Sequence, residues 1–190
     1  MKPHTTLKTD SQVENPRRRE RQKELQARLL RLKMRQRSEK GQQLLPKFKK
    51  ELENALGATV ALDDFLSLGE TQSLRGAFFE KVRGATDVQR NFWNTDRSEA
   101  LWSAVGRASS GVEGMDAILF HHFNEYIGAV VVPVSNVLDN PVQVWGVVEE
   151  DLCLCTSELS DGFCLELNHY AHKIADYEVT AWGIFAEVMR

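Results

Sequence analysis

Cys153, Cys155 and Cys164, together with His169 and His172, form the densest group of soft ligand types in the chain. Thiolates and imidazoles of this kind can hold zinc, but Cys-x-Cys lacks the spacing of the common zinc knuckles. On a strand Cys153 and Cys155 face the same side, and a hairpin would bring Cys164 across from them. Small apolar residues lining a core describe such thiols better, because free cysteine is among the most buried residue types. No metal and no cofactor is therefore expected. The odd number of cysteines, in a sequence that opens without an apolar signal segment, points to reduced thiols and a cytoplasmic location.

His121 and His122 are the next candidates. As neighbours on a predicted strand they point to opposite faces and cannot share a ligand. Catalysis would need a nucleophile or acid beside one of them. The sequence offers no Gly-x-Ser-x-Gly elbow, no His-Glu-x-x-His and no phosphate-cradling glycine loop. Gly111-Val-Glu-Gly114 precedes a strand, the wrong order for a dinucleotide fingerprint. The expectation is a binding protein and not an enzyme.

Charge is the strongest signal. The net charge of -3 divides into 16 Lys and Arg against 7 Asp and Glu over residues 1–57, and 8 against 20 over residues 58–190. From residue 108 onward only Lys173 and Arg190 oppose 13 acids. Glu149, Glu150, Asp151, Glu158 and Asp161 flank one predicted strand and are the candidate contacts for a basic partner, because an acidic face speeds the encounter with one. An ordinary surface would intersperse both signs. In the basic half, Arg17, Arg18, Arg19, Arg21, Lys23, Arg28, Arg31, Lys33, Arg35 and Arg37 could contact phosphate. Phe48 is the only aromatic residue there, so base stacking is not the expected mode.

The elements that must position these groups follow from periodicity. Asn15-Pro16 is a helix start, and strong helix formers run from Arg17 to Gly41 with Leu25, Leu29 and Leu32 in one stripe. Gly41 is expected to stop this helix and Pro46 to restart one that closes at Gly57. Asp63–Leu68 and Thr71–Arg83 read as short helices, followed by a third from Thr95 or Ser98 to Val105. After Gly111 the period changes to that of strands. Met115–Phe120, Tyr126–Val134, Leu152–Thr156, Phe163–Leu167 and Tyr177–Trp182 are expected strands, with a short helix from Pro141 to Val148 and a turn at Ser160-Asp161-Gly162. Pro133 confines its strand to an edge or a strand exit. Helices followed by a run of strands predict an α+β fold: a basic helical arm over 1–57 and an acidic domain over 58–190 with an antiparallel sheet of about five strands.

The order Val131-Val132-Pro133-Val134-Ser135-Asn136-Val137-Leu138, a helix bearing Trp145, Asp151-Leu152-Cys153-Leu154, Asp161-Gly162-Phe163-Cys164-Leu165-Glu166 and Tyr177-Glu178-Val179-Thr180-Ala181-Trp182-Gly183 resembles small bacterial immunity proteins of polymorphic-toxin systems, YxiF-like in arrangement. The pattern spans about a third of the chain, residues 126–185, and its motifs are structural. The resemblance implies an antitoxin that binds and blocks a cognate toxin, and it transfers no catalytic residue. A nuclease is the natural toxin class, since its substrate site must attract phosphate and would be basic. The alternative is a nucleic-acid-associated protein that uses the basic arm.

Overall fold

The computed structural model describes residues 16–84, 89–94, 98–107, 111–149, 151–168 and 176–188. The fold is α+β. It divides into two compact units, residues 1–37 and 38–190. This places the division well before the Gly57 boundary expected from charge, and for a physical reason: Phe48, Leu52 and Leu56 belong to the core of the second unit and are at most 1% exposed.

Helix α1 runs unbroken from Pro16 to Leu56 with Pro46 inside it, so neither the stop at Gly41 nor the restart at Pro46 occurs. An interior proline removes one hydrogen bond and costs about 3 kcal/mol. Phe48, Leu52 and Leu56 recur every four residues on one stripe, and full burial of each stabilises by about 1.5–3 kcal/mol, which outweighs that loss. Gly41 is helical and buried, and its missing side chain serves a close approach: a Cβ there would lie 2.3 Å from the carbonyl oxygen of Tyr126. Gly57, with φ +63°, does close the helix as expected. Glu53 then accepts the backbone N–H of Val60 at 3.0 Å, folding the chain back.

The expected helix over Asp63–Leu68 is instead a 3-10 turn, Leu62–Asp64, followed by a single β-bridge between Phe65 and Val130. Ser67 starts the next helix, α2 (Leu68–Gly84), with a reciprocal cap: Ser67 Oγ accepts the Glu70 N–H at 3.3 Å, and Glu70 accepts the Ser67 N–H at 3.0 Å.

The remaining elements are β1 (Gln89–Asn94), α3 (Ser98–Arg107), β2 (Asp116–Leu119), α4 (Asn124–Ile127), β3 (Val130–Pro133), α5 (Val134–Asp139), α6 (Pro141–Val148), β4 (Leu152–Cys155), β5 (Gly162–Asn168), β6 (Asp176–Trp182) and α7 (Ile184–Val188). Strand β1 is one more than the sequence indicates. Pairing with β6 over all six residues holds it extended. The long expected strand at Tyr126–Val134 resolves into the helical turn α4 and the short strand β3.

All strand pairs are antiparallel, in the order β1-β6-β5-β4-β2-β3. Strand β3 is an edge, and Pro133 ends it, as expected from its missing donor. Alternation along the strands divides the buried side chains into two groups. On one face Leu119, Val130, Leu154, Phe163, Leu165 and Val179 pack with Phe48 and Leu52 of α1, Leu101 and Val105 of α3, and residues of α5, α6 and α7. On the other, Ile118, Phe120, Cys153, Cys155, Cys164 and Trp182 lie with Phe78 and Val82 of α2. The sheet is thus the middle layer between helices.

Candidate functional site

The three thiols lie on the α2-covered face, each at most 1% exposed. Cys153 and Cys164 are directly opposed on β4 and β5, with their sulfurs 2.8 Å apart. Burial pushes the Cys155 thiol up to about 12 and the Cys153 thiol well above its usual range. For Cys164 the hydrogen bond with Cys153 pulls downward, but burial and the carboxylates of Glu166, Asp151 and Glu178 prevail and raise it. Such thiols are poor nucleophiles and poor metal ligands in the folded chain. Among the described residues no group of three or more His, Cys, Asp or Glu is placed to hold a metal. His169 and His172 lie outside the described residues.

His121 and His122 follow β2 in a turn, not within a strand. His122 is half-buried, and His121 is only 1% exposed. Its Nε2–H donates to Gly128 O at 2.8 Å, and its Nδ1 accepts the Phe123 N–H at 3.1 Å. Its ring lies 4.1 Å from that of Phe48. Burial above all drives its pKa down to about 3, against the Gly128 hydrogen bond that favours the charged form; the nearby charges of His122 and Arg75 add to the lowering. It is a neutral structural bridge. His122 Nδ1–H donates to Val148 O at 2.8 Å, and its Nε2 faces Glu149 Oε2 at 3.5 Å. Both rings are tied to backbone carbonyls, and among the described residues no nucleophile is bonded to either.

The acidic candidates do not converge. Glu149 is exposed in the left-handed residue that ends α6, and Asp151 is half-buried just before β4. Glu158 is exposed in the turn after β4. A four-residue strand separates the two ends by roughly 13 Å. Asp161 is committed within the fold: its carboxylate accepts the Ile184 N–H at 2.8 Å and the Ser160 hydroxyl at 2.6 Å, holding the start of α7. Glu150 lies outside the described residues.

On α1, the backbone places the basic candidates along a continuous helix. Arg17, Arg21, Arg28, Arg31 and Arg35 recur at spacings of 4, 7, 3 and 4 residues, which puts these five positions on one stripe of the helix. The other five, Arg18, Arg19, Lys23, Lys33 and Arg37, are distributed around it. Arg28 is exposed.

One cluster was missed in the sequence. Trp102 of α3, Trp145 of α6 and Tyr177 of β6 form a closed triangle, with ring centroids 5.1 Å apart for the two tryptophans and 6.0 and 5.6 Å from each to Tyr177. All three contacts are edge-to-face, the favourable geometry for aromatic pairs. Each ring packs on the core yet stays partly exposed. Val142, one turn before Trp145, is 52% exposed. Exposed Glu99 lies one turn before Trp102 on α3, while exposed Glu149 follows α6 in its left-handed residue and faces His122. The only sequence signal was the helical spacing of Glu99 and Trp102; nothing in the pattern showed that residues 102, 145 and 177 meet.

No protein-family model matches the chain, and neither a curated protein nor a solved structure is similar to it. Among the described residues no helix is long and apolar enough to cross a membrane.

Proposed function

We propose that this chain is an immunity-type binding protein that neutralises a cognate bacterial toxin by covering its active surface. The observation that carries this proposal is the half-buried Trp102–Trp145–Tyr177 triangle, with exposed Glu99 one turn before Trp102. Trp and Tyr dominate binding energetics where an interface core excludes water. Carboxylates at the border of such a core raise the rate of encounter with a basic partner and discourage acidic ones. Residues 108–190, which carry Trp145 and Tyr177, contain only Lys173 and Arg190 as lysine or arginine. A nuclease is the best-fitting toxin class, because a phosphate-binding surface offers complementary charge. The two histidines are engaged by backbone groups, which favours binding over catalysis as the role of the domain.

The test starts from the neighbouring gene: if it encodes a large protein with a variable C-terminal toxin domain, this chain is co-expressed with that domain. The chain should protect the cells and co-purify with that domain in a stoichiometric complex. Unprotected cells with both proteins present and folded would reject the proposal.

The Arg17–Arg21–Arg28–Arg31–Arg35 stripe supports a nucleic-acid role as the alternative. Backbone phosphate contact would then be independent of base sequence and steeply salt-dependent. Full-length chain with these five arginines changed to glutamine separates the roles. Loss of duplex binding on a gel, with protection of cells intact, would assign nucleic acid to the arm alone.

A further inference from the structure

The close approach of two thiols has no part in either proposed role. Cys153 and Cys164 are register partners on adjacent antiparallel strands, and their sulfurs stand 2.8 Å apart. Directly opposed residues in such a ladder have Cα atoms about 4.5–5.5 Å apart, inside the window that a disulfide accepts, about 4.4–6.8 Å. Bond formation requires the sulfurs to move together by only a fraction of their separation. Neither strand has to slide. The third thiol is excluded by register: Cys155 faces Gly162 on β5 and Ile118 on β2, and neither residue carries sulfur.

We propose that Cys153 and Cys164 are an oxidisable pair that closes reversibly to a disulfide with a low-molecular-weight disulfide, such as oxidised glutathione, as oxidant. One cysteine, as thiolate, attacks a glutathione sulfur and releases one reduced glutathione. The other then attacks the mixed disulfide at the protein sulfur and releases the second. The two cysteine protons end on the two glutathione thiols, and two electrons pass from the protein sulfurs to the oxidant. The product is a covalent link across the β4–β5 hairpin, with Cys155 left as the free thiol. Because all three sulfurs lie beneath α2 and the thiols resist ionisation, the oxidant gains access only when the hairpin opens. The pair therefore records exposure to oxidant during folding or transient opening, and burial then protects the bond from reduction.

Full-length protein is equilibrated with oxidised and reduced glutathione in sub-denaturing urea, which speeds hairpin opening, and is then returned to native buffer. Remaining thiols are alkylated in denaturant and located by peptide mass mapping. The expected result is the loss of two hydrogens, alkylation of Cys155 alone, and a cross-linked peptide joining Cys153 to Cys164. In Cys155→Ser the cross-link persists, and in Cys164→Ser it disappears. Wild-type protein and Cys155→Ser suffice if Cys164→Ser does not fold. Three alkylated cysteines, a cross-link through Cys155, or a persistent glutathione adduct on protein with a native circular dichroism spectrum would each overturn the proposal.

Discussion

Gly41 lies against the backbone of Tyr126 so closely that a Cβ on it would stand 2.3 Å from the Tyr126 carbonyl oxygen and 3.2 Å from the carbonyl carbon. The obstacle is main chain on a turn fixed by neighbouring hydrogen bonds, so it cannot rotate away. In an open helix, glycine to alanine stabilises by roughly 1 kcal/mol. At Gly41 the clash reverses the sign, with overpacking costing about 1–3 kcal/mol. Gly76 in α2 supplies the contrast, since no atom lies within 4 Å of its would-be Cβ. Urea denaturation should show Gly76→Ala more stable than wild type and Gly41→Ala less stable. A stabilising Gly41→Ala would refute the packing assigned to α1.

At Gly162 a similar substitution meets an aromatic ring. A Cβ there would lie 2.0 Å from Cζ2 of Trp182, which is fully buried and donates Nε1–H to Leu159 O at 3.0 Å. Gly162→Ala should lose about 2–3 kcal/mol through overpacking and disruption of that hydrogen bond. Tryptophan emission should shift to longer wavelength as the indole is displaced. Unchanged emission together with unchanged stability would contradict this arrangement.

His121 predicts a pH dependence whose sign is fixed. Its pKa falls from 6.5 to about 3 on folding, chiefly through burial. Between these values the unfolded chain holds a proton at His121 that the folded chain does not. Stability from this residue is complete above the unfolded pKa and declines as pH drops towards the folded one. The slope approaches about 1.4 kcal/mol per pH unit for one proton. Urea midpoints measured between about pH 6.5 and about pH 4.5 should fall more steeply for wild type than for His121→Gln, by close to one proton. Equal slopes would show that His121 is charged in the folded state.

The aromatic triangle and the exposed acids Glu99 and Glu149 should affect binding through different rates. Reversal of charge in Glu99→Lys/Glu149→Lys should slow association with the toxin domain about tenfold at low salt and have little effect at high salt. Trp145→Ala should instead speed dissociation, with a loss of about 2 kcal/mol or more in affinity if the ring anchors the interface core. Stopped-flow association and surface-plasmon dissociation measure the two effects. If neither variant changes either rate while the complex forms normally, the partner sits elsewhere on the domain.

Much of the sheet was legible in the sequence because its signals are local. Alternation marked β2, β4, β5 and β6, the Asp161-Gly162 turn marked their hairpin, and Asn140-Pro141 marked the start of α6. Strand β1 was not legible. Gln89-Arg90-Asn91-Phe92-Trp93-Asn94 has no apolar alternation, and its extended form depends on β6, which lies far along the chain. Gly41 and Pro46 were misread for the opposite reason: their local preferences are real, but tertiary packing of Phe48, Leu52 and Leu56 overrides them. The acidic candidates were chosen by nearness in sequence. A strand carries its ends apart, so Glu149 and Glu158 separate, and Glu149 faces His122 instead.

Strand β3 contributes four residues to one margin of the sheet, where Phe65 forms a bridge to Val130 and Pro133 offers no N–H. A strand from another molecule would find few backbone groups available there and would stall at the proline. Head-to-tail polymerisation needs two receptive margins on every molecule. By blunting one, the fold disfavours an indefinite edge-to-edge fibre.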